Sequence, residues 1–311
     1  MPIPFKNALR KGRTRQPKIQ PWEVLAPNEQ TVPLVFASPH SGRTYPLQFV
    51  AASNLDWTTL RGSEDAFIDE VFAAAPEFGA PLLRAHFPRA YVDVNREPYE
   101  LDAEMFSDQL PDHVTTKSPR ITAGLGTIAR VVTNGDEIYE KPLRFAEARR
   151  RIEACHLPYH LELRGLIDAT LERFGGCLLI DCHSMPSASG PMNLRPETRV
   201  DVVLGDAHGS ACARAVSELA EETLIELGFS VIRNKPYAGG YTTRHYGRPE
   251  EGVHVLQIEI NRALYMDENR IQRGPGLPAL VRRMDRLIKA LTAIDPTILA
   301  PSPADGLKAA E

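Results

Sequence analysis

The sequence predicts one three-layer α/β/α domain with a mixed, mainly parallel central sheet. Three observations carry this. Short apolar, β-branched runs alternate with amphipathic helical stretches, no internal repeat divides the 311 residues, and polar clusters fall where predicted strands stop. With 43% hydrophobic and 24% charged residues the chain can bury a substantial core, and α/β chains of this length commonly form a single one.

Residues 31–37 (TVPLVFA) read as a buried strand ended by Ser38-Pro39, which delivers His40 to a loop at the strand's carboxyl end. Open α/β sheets place their chemistry at that edge. A helical stretch spans residues 66–75, and 81–86 and 90–94 read as strands, the second stopping at Asn95-Arg96. Residues 100–138 hold no sustained period and include Gly124, Gly126 and Gly135, so they form a long excursion of the kind that shapes a pocket. A helix over 142–174 stops at Gly175-Gly176, and the strand 177–180 after it ends at Asp181-Cys182-His183-Ser184. Strand 200–204, helix 211–227, strand 229–233, strand 253–260 carrying Glu259, and helix 277–291 complete the pattern. The division expected is a basic arm over 1–30, a catalytic body over 31–295 and a flexible tail over 296–311.

Thirty-six basic residues against 40 acidic ones leave a formal charge of −4, which gives nucleic acid or an anionic membrane nothing to recruit. Lys6, Arg10, Lys11, Arg13, Arg15 and Lys18 form a solvated arm. No apolar stretch approaches the roughly 20 residues that span a bilayer. Cys155, Cys177, Cys182 and Cys212 lack a C-x-x-C pair and read as reduced core thiols in a cytoplasmic protein. The expected partner is a small anionic molecule, and a homo-oligomer is compatible with the sequence.

Two histidines and a carboxylate at element ends, His40, His183 and either Glu64 or Asp65, suit an open zinc-type site that keeps a position for water. No compact motif such as H-E-x-x-H is present. Glu64 and Asp65 are adjacent and point differently, so one is a ligand while the other caps the following helix. Glu259, an acid between two isoleucines, suits a general base and acid, unless that strand face is solvated. Arg244 in a glycine-rich loop suits a carboxylate clamp, with Arg96 as a second cation. His208, His245 and His254 could each join the site. Ser41 and Ser184 sit outside any G-x-S-x-G elbow and read as orienting residues.

The chain resembles the N-formylglutamate amidohydrolase (N-formylglutamate deformylase) family through Ser38-Pro39-His40-Ser41-Gly42, Val92-Asp93-Val94-Asn95-Arg96, Asp181-Cys182-His183-Ser184, the stretch from Gly239 to Gly247, and Gln257-Ile258-Glu259. The matches run in order from about residue 33 to residue 268. The resemblance implies a fold related to zinc carboxypeptidases and one divalent ion, zinc first, held by His40, Asp65 and His183. It implies catalytic roles for Glu259, Arg244 and Asn95, and substrate contacts from Arg96, Arg244, Tyr241 and His245. The implied substrate is an N-acyl amino acid, N-formyl-L-glutamate foremost, in histidine degradation. Readings kept beside it are a carboxypeptidase-like or other N-acyl amino-acid hydrolase, and a carboxylate-binding protein without turnover.

Overall fold

A computed structural model of the chain describes residues 20–188 and 200–301. The six cations of the expected arm lie outside the described residues, as do 302–311 of the expected tail. Seven strands form one sheet: β1 (Trp22–Leu25), β2 (Leu34–Ser38), β3 (Leu82–Ala85), β4 (Cys177–Met185), β5 (Val202–Gly205), β6 (Val231–Arg233) and β7 (Val253–Asn261), in the order β1-β3-β2-β4-β7-β5-β6. The run β3-β2-β4-β7 is parallel, β1 and β5 pair antiparallel to their neighbours β3 and β7, and β5 pairs parallel to β6. The sheet is therefore mixed and mainly parallel, as expected.

Alternation sorts the strand side chains between two cores. Leu34, Phe36, Leu178, Ile180, Leu256 and Ile258 face the layer built by α3 (Arg214–Glu226), α5 (Leu277–Thr292) and the short α1 (Ile68–Val71). Val35, Ala37, Leu179 and Val255 face α2 (Leu157–Phe174), whose Tyr159, Leu163 and Ile167 recur every four residues and are buried. That spacing keeps them on one helix face. Every residue of β4 and β7 is buried, which makes this nine-residue parallel pair the rigid centre of the molecule.

Three expectations need correction. Residues 90–94 are not a strand: Val92 and Val94 are buried, but the amides of Tyr91 and Val92 turn back to the Pro88 carbonyl and that of Asp93 reaches Thr127. The Asp181–Ser184 cluster lies within β4 rather than beyond it, because pairing with β7 continues to Met185. The boundaries at 30/31 and 295/296 cut through packed structure, since Trp22–Leu25 is an edge strand and Leu299 is fully buried. The 100–138 excursion contains only two helices of a single turn (Ala103–Met105 and Pro119–Thr122), turns and isolated bridges, and all four cysteines are buried and free. Among the described residues no helix is long and apolar enough to cross a membrane.

Candidate active site

The carboxyl ends of β2, β4 and β7 bring the chemistry together. His40 lies two residues past β2, in a loop that presses on the backbone at 86–87. A Cβ on Gly42 would lie 2.0 Å from the Phe87 carbonyl oxygen, so only glycine permits this path. The Asp65 amide donates to the His40 carbonyl at 3.0 Å, which ties the two segments. On β4, Asp181 and His183 share a face, and in register beside them stand Gln257 and Glu259 of β7. The His183–Glu259 pairing makes those two side chains lateral neighbours. Glu259 is buried, which excludes the solvated-face reading.

His40 Nδ1 and His183 Nδ1 are 3.2 Å apart, and Asp65 Oδ2 lies 3.4 Å from the first and 3.0 Å from the second. Three ligands on a tetrahedral zinc with bonds of about 2.0–2.1 Å would stand roughly 3.3–3.4 Å from one another, so this buried trio matches the face of such a site. The second atom of each group is already engaged. His40 Nε2 meets Asp93 Oδ1 at 2.7 Å, and Asp181 Oδ2 lies 2.9 Å from His183 Nε2. Asp65 Oδ1 accepts from Arg262 at 3.2 Å and from Ser184 at 3.3 Å. Carboxylates behind metal-binding imidazoles fix the tautomer that turns the free lone pair inward. The residues thus fit a divalent ion.

The adjacent acids separate cleanly. Glu64 accepts from Tyr45 at 2.7 Å and from two nitrogens of Arg61, both at 2.8 Å, so it faces away from the histidines. The expected cap is absent, because the N-cap position of α1 is Phe67, with no side-chain cap.

Electrostatics favour positive charge at this point. Burial opposes ionisation of Asp65 and Asp93, yet the histidines hold Asp65, and Arg89 with Arg96 hold Asp93, well below the usual carboxylate range. Burial likewise opposes protonation of His183, but the charge of Asp181 and then Asp65 lifts it well above an ordinary imidazole. Burial raises Glu259 to about 7, with His183 pulling the other way.

A cavity of about 630 Å³ opens over the trio, lined by His40, His183, Glu259, Asn95, Arg96 and Arg244 among others. Asn95 Oδ1 accepts from the Thr242 amide at 2.8 Å, leaving its Nδ2 as the donor, 3.4 Å from His183 Nε2. A Cβ on Gly240 would meet that side chain at 2.3 Å, which explains the glycine. Arg96 donates to the carbonyls of Leu125 and Asn95 at 2.9 and 2.8 Å.

Tyr241 and His245, expected to contact substrate, do not line the cavity. Four residues apart on α4 (Tyr241–Tyr246), they stack with ring centroids 4.6 Å apart, and Tyr241 meets the edge of His160. Arg244 lies about 100° round the helix from His245 and does line it. His208 is exposed and His254 accepts from the Ala213 amide, so neither joins the lining.

Sequence reasoning passed over Asp93 and Asp181 as imidazole partners, and Arg89, Arg120, Arg262 and Gln257 as lining residues. Asp181 had a signal, since a residue two before His183 shares its strand face. Gln257 had the same signal, two residues before Glu259 on β7, and the others come from loops and short turns whose path the sequence does not disclose. Asp93→Asn is expected to lower affinity for a divalent ion about 10- to 100-fold, read by competition with a chromogenic chelator. Unchanged affinity would show that Asp93 does not tune His40.

The profile of the N-formylglutamate amidohydrolase family matches residues 32–266. The N-formylglutamate deformylase of Pseudomonas aeruginosa is 31% identical over 249 residues, covering 79% of this chain and 86% of that protein. That of Pseudomonas putida is 27% identical over the same shares. The crystal structure of N-formylglutamate amidohydrolase from Ralstonia eutropha JMP134 superposes with a TM-score of 0.81 at 35% identity, covering 88% of this chain and 96% of that one. Together with the buried trio and its cavity, these similarities establish that the chain belongs to the N-formylglutamate amidohydrolase family, hydrolases of linear amide bonds.

Proposed function

We propose that this chain is a single-metal deformylase that converts N-formyl-L-glutamate and water to formate and L-glutamate. The observation that carries the reading is the buried meeting of His40, Asp65 and His183 beside Glu259 in one arginine-rimmed cavity. The names of the family and of the Pseudomonas relatives supply the substrate.

Imidazole and carboxylate ligands suit zinc, and what such an ion supplies when held is Lewis acidity and a water pKa brought to about 7. The rest falls to the chain's own side chains. Glu259 takes a proton from the attacking water and returns it to the amide nitrogen, so that glutamate departs as an amine. Burial, which lifts this carboxyl to about 7, suits a group that must both accept and release a proton near neutrality. Asn95 Nδ2 is the donor for charge growing on the formyl oxygen. Arg96 takes the α-carboxylate next to the scissile amide, and Arg244 takes the carboxylate further away.

Formate release from N-formyl-L-glutamate, its loss on exhaustive chelation and its return with added Zn²⁺ are the expected results. N-acetyl-L-glutamate and a glutamyl dipeptide, assayed in parallel, should be poor substrates. Turnover by protein shown to be metal-free would contradict the metal assignment, and faster cleavage of either comparison compound would contradict the substrate.

A further inference from the structure

The rim of the cavity carries more positive charge than its acids neutralise. Arg96, Arg120 and Arg244 all line it. Arg96 is partly balanced by Asp93, 3.8 Å from its Nη2, although Asp93 is also bound by Arg89 at 2.8 Å. Arg244 is exposed and forms no ion pair with any described residue. Arg120 belongs to the short turn Pro119–Thr122 of the 100–138 excursion. Its only carboxylate partner among the described residues is Glu100, at 3.6 Å, and the facing Glu100 Oε2 is buried without a hydrogen-bond partner. Glu100 thus holds the Arg120 guanidinium in place without occupying its N–H groups. Arg120 shares the cavity lining with Arg244 and Arg96, and its charge disfavours protonation of both, after burial for Arg244 and after burial and the charge of Arg89 for Arg96, where Asp93 acts the other way. A cluster of guanidiniums short of acid is relieved when an anion enters.

We infer that Arg120 is a specificity-determining residue that, together with Arg244, holds the side-chain carboxylate of an acidic N-acyl amino acid. This rests on the proposed deformylase reading. Arg96 follows Asn95, which touches His183, so it is the arginine of the three tied most directly to the histidine pair. That leaves Arg120 and Arg244 for the carboxylate remote from the scissile bond. The excursion then has a chemical purpose: it delivers the second half of a clamp whose first half is on α4. Two planar guanidiniums recognise a carboxylate through several charge-assisted hydrogen bonds, which an amide of the same shape cannot match.

The test compares N-formyl-L-glutamate with N-formyl-L-glutamine, nearly equal in shape, for the wild-type protein, Arg120→Gln and Arg120→Lys, each loaded with zinc and checked for metal content and melting temperature. For Arg120→Gln, kcat/KM on the glutamate substrate should fall about 10- to 100-fold, mostly through KM, while the glutamine substrate changes less than about threefold. Arg120→Lys, which keeps the charge facing Glu100, should retain part of the preference and guards against failure of the glutamine variant to fold. Equal losses on both substrates, or an undiminished preference in either variant, would overturn the role of Arg120 while leaving the deformylase reading intact. A wild-type protein that does not cleave N-formyl-L-glutamate would overturn both.

Discussion

Glu259→Gln is expected to lower kcat by about 10²- to 10⁴-fold while metal content and KM stay near those of the wild type. The substitution keeps the volume and the oxygen that accepts from Gln257 Nε2 at 3.0 Å, so the local packing survives. The backbone is equally secure, because Glu259 sits between β4 and β5, opposite His183 on one side and Val203 on the other. What is lost is the proposed capacity to take a proton from water and hand it to the leaving nitrogen. Steady-state kinetics with parallel metal analysis read this directly. Near-normal turnover with metal bound would remove Glu259 from the mechanism.

His183→Ala is expected to have the larger effect. It deletes one of the three proposed ligands and leaves Asp65, Asp181 and Glu259 around the space without the imidazole that faces them. Turnover should fall on the order of 10⁴-fold or more, since without a bound ion the pKa of water stays far above neutrality. Metal bound after dialysis should drop well below one equivalent, and Zn²⁺ in excess should restore little. A variant that kept a full equivalent of metal and ordinary activity would show that His183 is not a ligand.

Much of this was legible in the sequence, for identifiable reasons. Buried parallel strands read as continuous apolar runs, so β2, β3, β4 and β7 were found within a few residues. The expectation for His40 and His183 followed from their places at strand ends, and the structure brings their Nδ1 atoms to 3.2 Å. The choice between Glu64 and Asp65 could not come from local sequence. It depends on Tyr45 and Arg61 drawing Glu64 aside, and on an amide bond from Asp65 to His40. Residues 90–94 misled because Val92 and Val94 alternate like a strand and are buried like one, while their backbone partners are turns and the excursion. The edge strand β1 was missed because its residues are only half-buried and its pairing with β3 is long-range. Tyr241 and His245 were expected at the substrate through the family resemblance of the stretch from Gly239 to Gly247. That stretch closes into α4, and the helix turns both rings toward each other instead.

The proposed chemistry depends on one ion shared by three side chains that are distant in sequence. Anomalous diffraction from crystals of the zinc-loaded protein, recorded on both sides of the zinc absorption edge, addresses that most directly. One strong peak within bonding distance of His40 Nδ1, His183 Nδ1 and Asp65 Oδ2, with Glu259 alongside, is the expected result. Zinc-loaded, active crystals with their peak elsewhere, or with none in this cavity, would contradict it.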